Sequence, residues 1–155
     1  MLRWLKVIWR SRKFLSYLRE VEDLSPATVI KGLPVVLPSG IPKIAHLMQD
    51  VVVRVAGKVW TVKKGENPTD LASFPWFSRM VFSWTEAPYA AVWHDERYKK
   101  RDIPREEADL GFYRLAITGS EDGKVKPMPK MKAALAYAGL RTNGHTWDDG
   151  GFLDN

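Results

Sequence analysis

Two short runs hold the residues best equipped for chemistry: His94-Asp95-Glu96-Arg97-Tyr98, and Arg105-Glu106-Glu107-Ala108-Asp109-Leu110-Gly111-Phe112. On helices, His94 and Tyr98 share a face at i and i+4, while Arg105, Asp109 and Phe112 share one at i, i+4 and i+7. A short link around Pro104 would fold the two helices antiparallel and set His94 opposite Asp109. An imidazole with one nitrogen held by a carboxylate has a fixed tautomer, and its other nitrogen is suited to take a proton from water. That is a general base with an orienting partner. Asp95, about 100° further round the helix, could turn its carboxylate towards a cation or a substrate. The same residue types also serve structure alone, because buried His–Asp and Arg–Asp pairs tie helices together, and Tyr98 and Phe112 read as core aromatics.

Thr69-Asp70-Leu71-Ala72-Ser73-Phe74-Pro75 is a third run of interest, a loop of small and polar residues directly after a hairpin, where a rigid scaffold can present groups to a site. Asp70 has three readings: it binds Arg105, it joins His94 and Asp95 at a metal, or it caps a helix that starts near Ser73.

The elements that must position these groups follow from pattern. Six basic residues and no acidic one lie in residues 1 to 19, and Arg3, Lys6, Arg10 and Lys13 recur at helical spacing. Leu5, Ile8, Trp9, Leu15 and Leu18 add apolar surface, so a basic amphipathic helix is expected from about Leu2 to Arg19. Pro26, Pro34, Pro38 and Pro42 then forbid a long helix and leave an extended connector with short strands. Asp50 to Val55, Ala56-Gly57-Lys58 and Val59 to Lys63 read as a β-hairpin. Gly65-Glu66-Asn67-Pro68 ends it. Helices are expected at Trp76 to Trp84, at Tyr89 to Lys99 after Pro88, at Arg105 to Ile117 after Pro104, and at Pro129 to Leu140. The fold class is therefore α+β: an N-terminal amphipathic helix, a small antiparallel sheet, then three to four short helices. The chain divides into a basic helical arm at 1–24, a single α+β domain at 25–141 and a Gly/Asp-rich tail at 142–155.

Composition narrows the function further. The chain has 155 residues, an ordinary 45% apolar content and no Cys, which removes disulfide frameworks, thiol nucleophiles and Cys-ligated zinc or iron–sulfur sites. No apolar run approaches the ~20 residues needed to span a bilayer, and the Arg- and Trp-rich start lacks the apolar run of a signal peptide, so the protein is expected to begin in a cytoplasm. The net charge of +6 is uneven: residues 1 to 64 carry 12 basic against 4 acidic side chains, and the motif-bearing remainder is slightly acidic. An anionic partner should meet the N-terminal helix. Its Trp-rich, basic character raises contact with nucleic acid or lipid headgroups, and a solvated basic face is the plain alternative. His46, before His94-Asp95, raises a metal-dependent phosphohydrolase, but His46 to Lys63 reads as strand and such sites need packed helices.

Thr69 to Pro75, Ala90 to Tyr98 and Arg105 to Phe112 resemble, in order and spacing, the three signature blocks of the phage-associated domain-of-unknown-function family 1353, over about residues 45 to 141. The family pattern has a Gly and an aromatic before Thr-Asp, where this chain has Gly65-Glu66-Asn67-Pro68. The resemblance implies a phage or prophage origin near virion genes, with no established activity. His-Asp-x-x-Tyr on one helix, with Asp on an antiparallel neighbour, is also similar to the phospholipase A2 site. That similarity implies His94 as base for water, Asp95 as a Ca2+ ligand, Asp109 orienting His94, and Tyr98 hydrogen-bonding Asp109. The chain departs from it in having neither flanking cysteines nor a Gly-rich calcium loop, since Thr85-Glu86-Ala87-Pro88 precedes the helix.

Two functions follow as expectations. One is a virion- or tail-associated structural component, made in the host cytoplasm, that docks through its basic helix onto other phage structural proteins, nucleic acid or lipid headgroups. The other is a hydrolase of lipid or cell-envelope esters with His94 as general base.

Overall fold

A β-branched run that reverses over two residues sets the centre of the sheet. The computed structural model describes residues 2–33, 36–38, 45–65 and 86–143, with the backbone alone for residues 2–10, 36–38, 45, 46 and 143. In chain order the elements are α1 (Leu2–Glu20), β1 (Thr28–Lys31), β2 (Val36–Pro38), β3 (Ala45–Leu47), β4 (Val51–Val55), β5 (Lys58–Val62), α2 (Pro88–Lys100), α3 (Arg105–Ala116) and α4 (Lys130–Asn143). The architecture is α+β, as the pattern predicts. The expected helix at 76–84, the loop at 69–75 and the tail beyond residue 143 lie outside the described residues.

Between β4 and β5, Ala56 and Gly57 both take positive φ, 48° and 81°. A two-residue turn of that kind matches the right-handed twist of its strands, and it sets Val55 opposite Lys58. Val51, Val53 and Val55 then alternate into the core. β1 pairs antiparallel with the other edge of β4, giving the order β1-β4-β5, and its register shifts between Val29 and Lys31. Just beyond, Gly32 sits at φ +88°, where a Cβ would lie 2.2 Å from the carbonyl oxygen of Asp50. Only glycine lets the connector pass the start of β4 so closely. β2 and β3 form a separate antiparallel pair.

Against the sheet lie the helices. α2 touches β5 and α3, α3 touches β4 and α4, and α4 touches α1. α2 is the central element, buried without a break from Pro88 through Tyr98. A helix enclosed on all sides cannot confine its polar residues to a wet face, so each must find a partner inside. Packing is close where α2 meets α3: a Cβ on Gly111 would fall 2.4 Å from the Trp93 ring, which also meets Trp60 edge-on at 5.9 Å.

Candidate functional site

Local chemistry decides where α2 stops and α3 starts. Pro88 occupies the first turn of α2, where its missing N–H costs nothing. At the other end Arg101 adopts the left-handed conformation, φ 51°, and its N–H bonds the carbonyl of Arg97 at 2.8 Å. Pro104 then stands at the N-cap of α3 with extended ψ of 145°. The chain therefore reverses, so that Tyr98 meets Arg105 beside the link while His94 meets Phe112 two turns away.

Asp109 is the hub of the resulting cluster. Its Oδ1 lies 2.8 Å from His94 Nε2 and accepts from the Tyr98 hydroxyl at 2.5 Å. Its Oδ2 accepts from Arg141 Nη1 at 3.3 Å, with Arg105 Nε 3.6 Å away. Arg105 also donates to the Tyr98 hydroxyl at 3.3 Å and to the Leu140 carbonyl at 2.9 Å, which ties α3 to both neighbours. An ionised carboxylate only accepts, so the proton between the ring and Asp109 resides on Nε2, and in the neutral ring Nδ1 is the basic nitrogen. The Tyr98 ring stacks at a tilt on the imidazole, 4.1 Å between centroids, and Phe112 meets it edge-on.

The pair is sealed, with 3% of the His94 side chain and none of the Asp109 side chain exposed. Burial alone would raise the Asp109 carboxyl, but the His94 hydrogen bond and charge, the Tyr98 hydroxyl and Arg105 outweigh it and hold the group below the usual carboxylate range. Burial, then the adjacent Asp109 charge, pushes the Tyr98 phenol far up, so it stays a donor. For Arg141, burial works against the charge, and the Asp109 carboxylate more than restores it. The arrangement is a carboxylate held ionised in the interior by one imidazole, one phenol and two guanidiniums.

The face-sharing read from sequence is thus brought together: His94, Tyr98, Arg105, Asp109 and Phe112 meet. Asp95 does not face them as a free ligand. It is 8% exposed, and Lys99 donates to its carboxylate at 3.0 Å. Among the described residues no group of three His, Asp or Glu is placed to hold a metal. The Lys99 ammonium on Asp95 and the absence of such a group among the described residues do not fit a calcium ion, so no step is derived through one. Asp70 lies outside the described residues.

α1 is fixed to the domain by one side. Positions 3, 10 and 17 share a line on a helix, and Tyr17 packs edge-on against Tyr137 at 6.2 Å, beneath the Arg141 guanidinium at 5.5 Å. The side chains of Arg3, Lys6 and Arg10 lie outside the described residues. Lys13 itself is exposed, but the outward face beside the domain consists of Arg12, Leu15, Ser16 and Arg19.

Two features escaped the sequence reading. Arg141 reaches Asp109 from the last turn of α4, and its only signal was an Arg four residues after Tyr137 on an Ala-rich helix. Arg97 is buried between the rings of Trp60 and Trp93, 4.4 and 6.0 Å from their centroids, and paired with Glu96 and Asp102. Lys100 completes that group, 2.9 Å from Glu96.

Residues 45–139 match the family model described as a protein of unknown function, DUF1353. That span holds Asp109 with three of its partners and leaves α1 and Arg141 outside. No curated protein and no solved structure matches the chain.

Proposed function

We propose, from the premise that this chain belongs to the DUF1353 family, that it is a structural or assembly component of a bacteriophage or prophage particle, docking through the outward face of α1. One observation carries the reading: the best candidate for chemistry is a closed knot. Every group around Asp109 is turned inward, so the His94–Asp109 pair serves to fasten α2, α3 and α4. Exposed cations on α1, Arg12 and Arg19 among them, are open to a partner, and the knot's own Arg141 helps to hold that helix through Tyr17. The protein is then made in the host cytoplasm and carried on the particle.

Removing residues 1–13 tests this while retaining Tyr17, Leu18 and Val21, which pack the helix onto the domain. The truncated protein is expected to be missing from purified particles by quantitative mass spectrometry, whereas His94→Gln is still incorporated. Equal incorporation of the truncated and full-length chains overturns the reading.

A specific geometry favours a second reading, hydrolysis of lipid or envelope esters. His94 is held through Nε2, and Tyr98 shares the orienting carboxylate, as a general base for water requires. Because the pair is sealed, turnover needs the site to open. The reading requires wild type to hydrolyse some member of a lipid and ester panel and a folded His94→Gln to lose that activity. A wild type inert across the panel removes it.

A further inference from the structure

We infer that the outward face of α1 is a binding surface for anionic phospholipid, with the helix lying in the plane of the bilayer interface. This deepens the docking reading and rests on its premise that α1 is the contact element.

The helix is already attached by its other side. Val21 is fully buried, Tyr17 and Leu18 pack against the core, and Tyr17 meets Tyr137. What remains outward is a mixed stripe: Arg12, Ser16 and Arg19 exposed, with Leu15 at 54% exposure between them. The outward stripe thus sets an exposed leucine among arginines, and the first 19 residues of the chain hold six cations and no anion.

That combination selects among anionic partners. A nucleic-acid backbone would neutralise the arginines but leave Leu15 facing water. A bilayer interface takes both, since an apolar residue enters the acyl boundary and cations meet lipid phosphates. No described helix is long and apolar enough to cross a membrane, so the contact is with the surface. Glu20, Glu22 and Asp23 follow directly after Arg19, which ends the attractive stretch where the chain turns back to the domain.

Co-sedimentation of the full-length protein tests this, using vesicles of phosphatidylcholine alone and of phosphatidylcholine with an equal part of phosphatidylglycerol. Binding is expected to the mixed vesicles only, and to weaken as salt is added. Arg12→Glu with Arg19→Glu should reduce it by about tenfold or more, and Leu15→Asp by roughly tenfold. These positions are solvent-exposed, so unfolding curves matching wild type establish that the variants are folded. Absence of binding, equal binding to neutral vesicles, or full binding by the double variant overturns the inference. So does binding to duplex DNA or polyglutamate without binding to vesicles. Particle incorporation separates the two claims: a protein found in particles by way of residues 1–13 that ignores both vesicles loses the lipid inference and keeps the docking reading. A protein that binds anionic vesicles but enters particles without residues 1–13 does the reverse.

Discussion

Arginine appears in two settings in this molecule. Arg105 and Arg141 point inward at a carboxylate with no solvent exposure, and Arg12 and Arg19 point outward into water. The interior pair cannot exchange partners, because leaving Asp109 would strand a charge in a medium that solvates it poorly. The exterior pair loses little by changing partners, since an exposed ion pair is worth roughly 0–1 kcal/mol and water replaces it readily. The same side chain is thus a fastener in one place and a contact in the other. Dehydration of the partner makes the difference. Stability should reside in the first region and recognition in the second, and substitutions in each can break that division.

The largest effect is expected at Asp109. Asp109→Ala removes the anion and leaves His94, Tyr98, Arg105 and Arg141 facing a void, the situation in which breaking a buried pair costs about 3–5 kcal/mol. Urea unfolding should show that loss, and a change below about 1 kcal/mol would mean that the knot holds nothing together. Acid gives an independent reading. The folded-state pKa of Asp109 is depressed, so its contribution is complete above the ordinary carboxylate value of 3.8 and is lost as the pH falls through the lower folded value. Asp109→Asn should therefore be less stable than wild type at neutral pH, and the gap should close as the pH drops below about 4. A gap that stays constant down to acid denaturation would assign the stabilisation to shape and not to charge.

Gly111 comes next. A methyl group there would fall 2.4 Å from the Trp93 ring, so Gly111→Ala must displace that indole or separate α2 from α3. Overpacking of this kind costs about 1–3 kcal/mol. Trp93→Phe in the same chain should return part of the loss, giving a double-mutant cycle with a coupling of at least about 0.5 kcal/mol. Strict additivity would show that the two residues do not share the space.

Much of the interior was legible because it follows from local rules. Ala56-Gly57 between β-branched runs gives the hairpin, Pro88 and Pro104 mark the helix starts, and spacing of four and seven brings His94, Tyr98, Asp109 and Phe112 to one place. Arg141 was not legible, because it arrives from α4, over thirty residues away, and helical spacing carries no information about which helix packs beside which. The same limit governs α1. Its cations could be counted, but the side that faces the domain is set by Tyr137, a residue at the far end of the chain. Nor did the His94-Asp95 pair announce that its second member would be engaged by Lys99, although i to i+4 spacing allowed it.

The smallest stability effect should accompany the sharpest change in association, and it falls on α1. Arg12→Glu with Arg19→Glu alters two exposed side chains that pack on nothing in the core, so the folding free energy should move by less than about 0.5 kcal/mol. Glutamate is also a good helix former, so α1 loses little intrinsic propensity. Charge reversal nevertheless inverts the potential of the outward stripe, and attraction to an anionic surface should become repulsion. Unfolding curves that superimpose on wild type, together with lost sedimentation on anionic vesicles, would place recognition on α1 and stability in the knot. A destabilisation approaching that of Asp109→Ala would instead mean that Arg12 and Arg19 are fastened into the fold, and the contrast between the two sets of arginines would collapse.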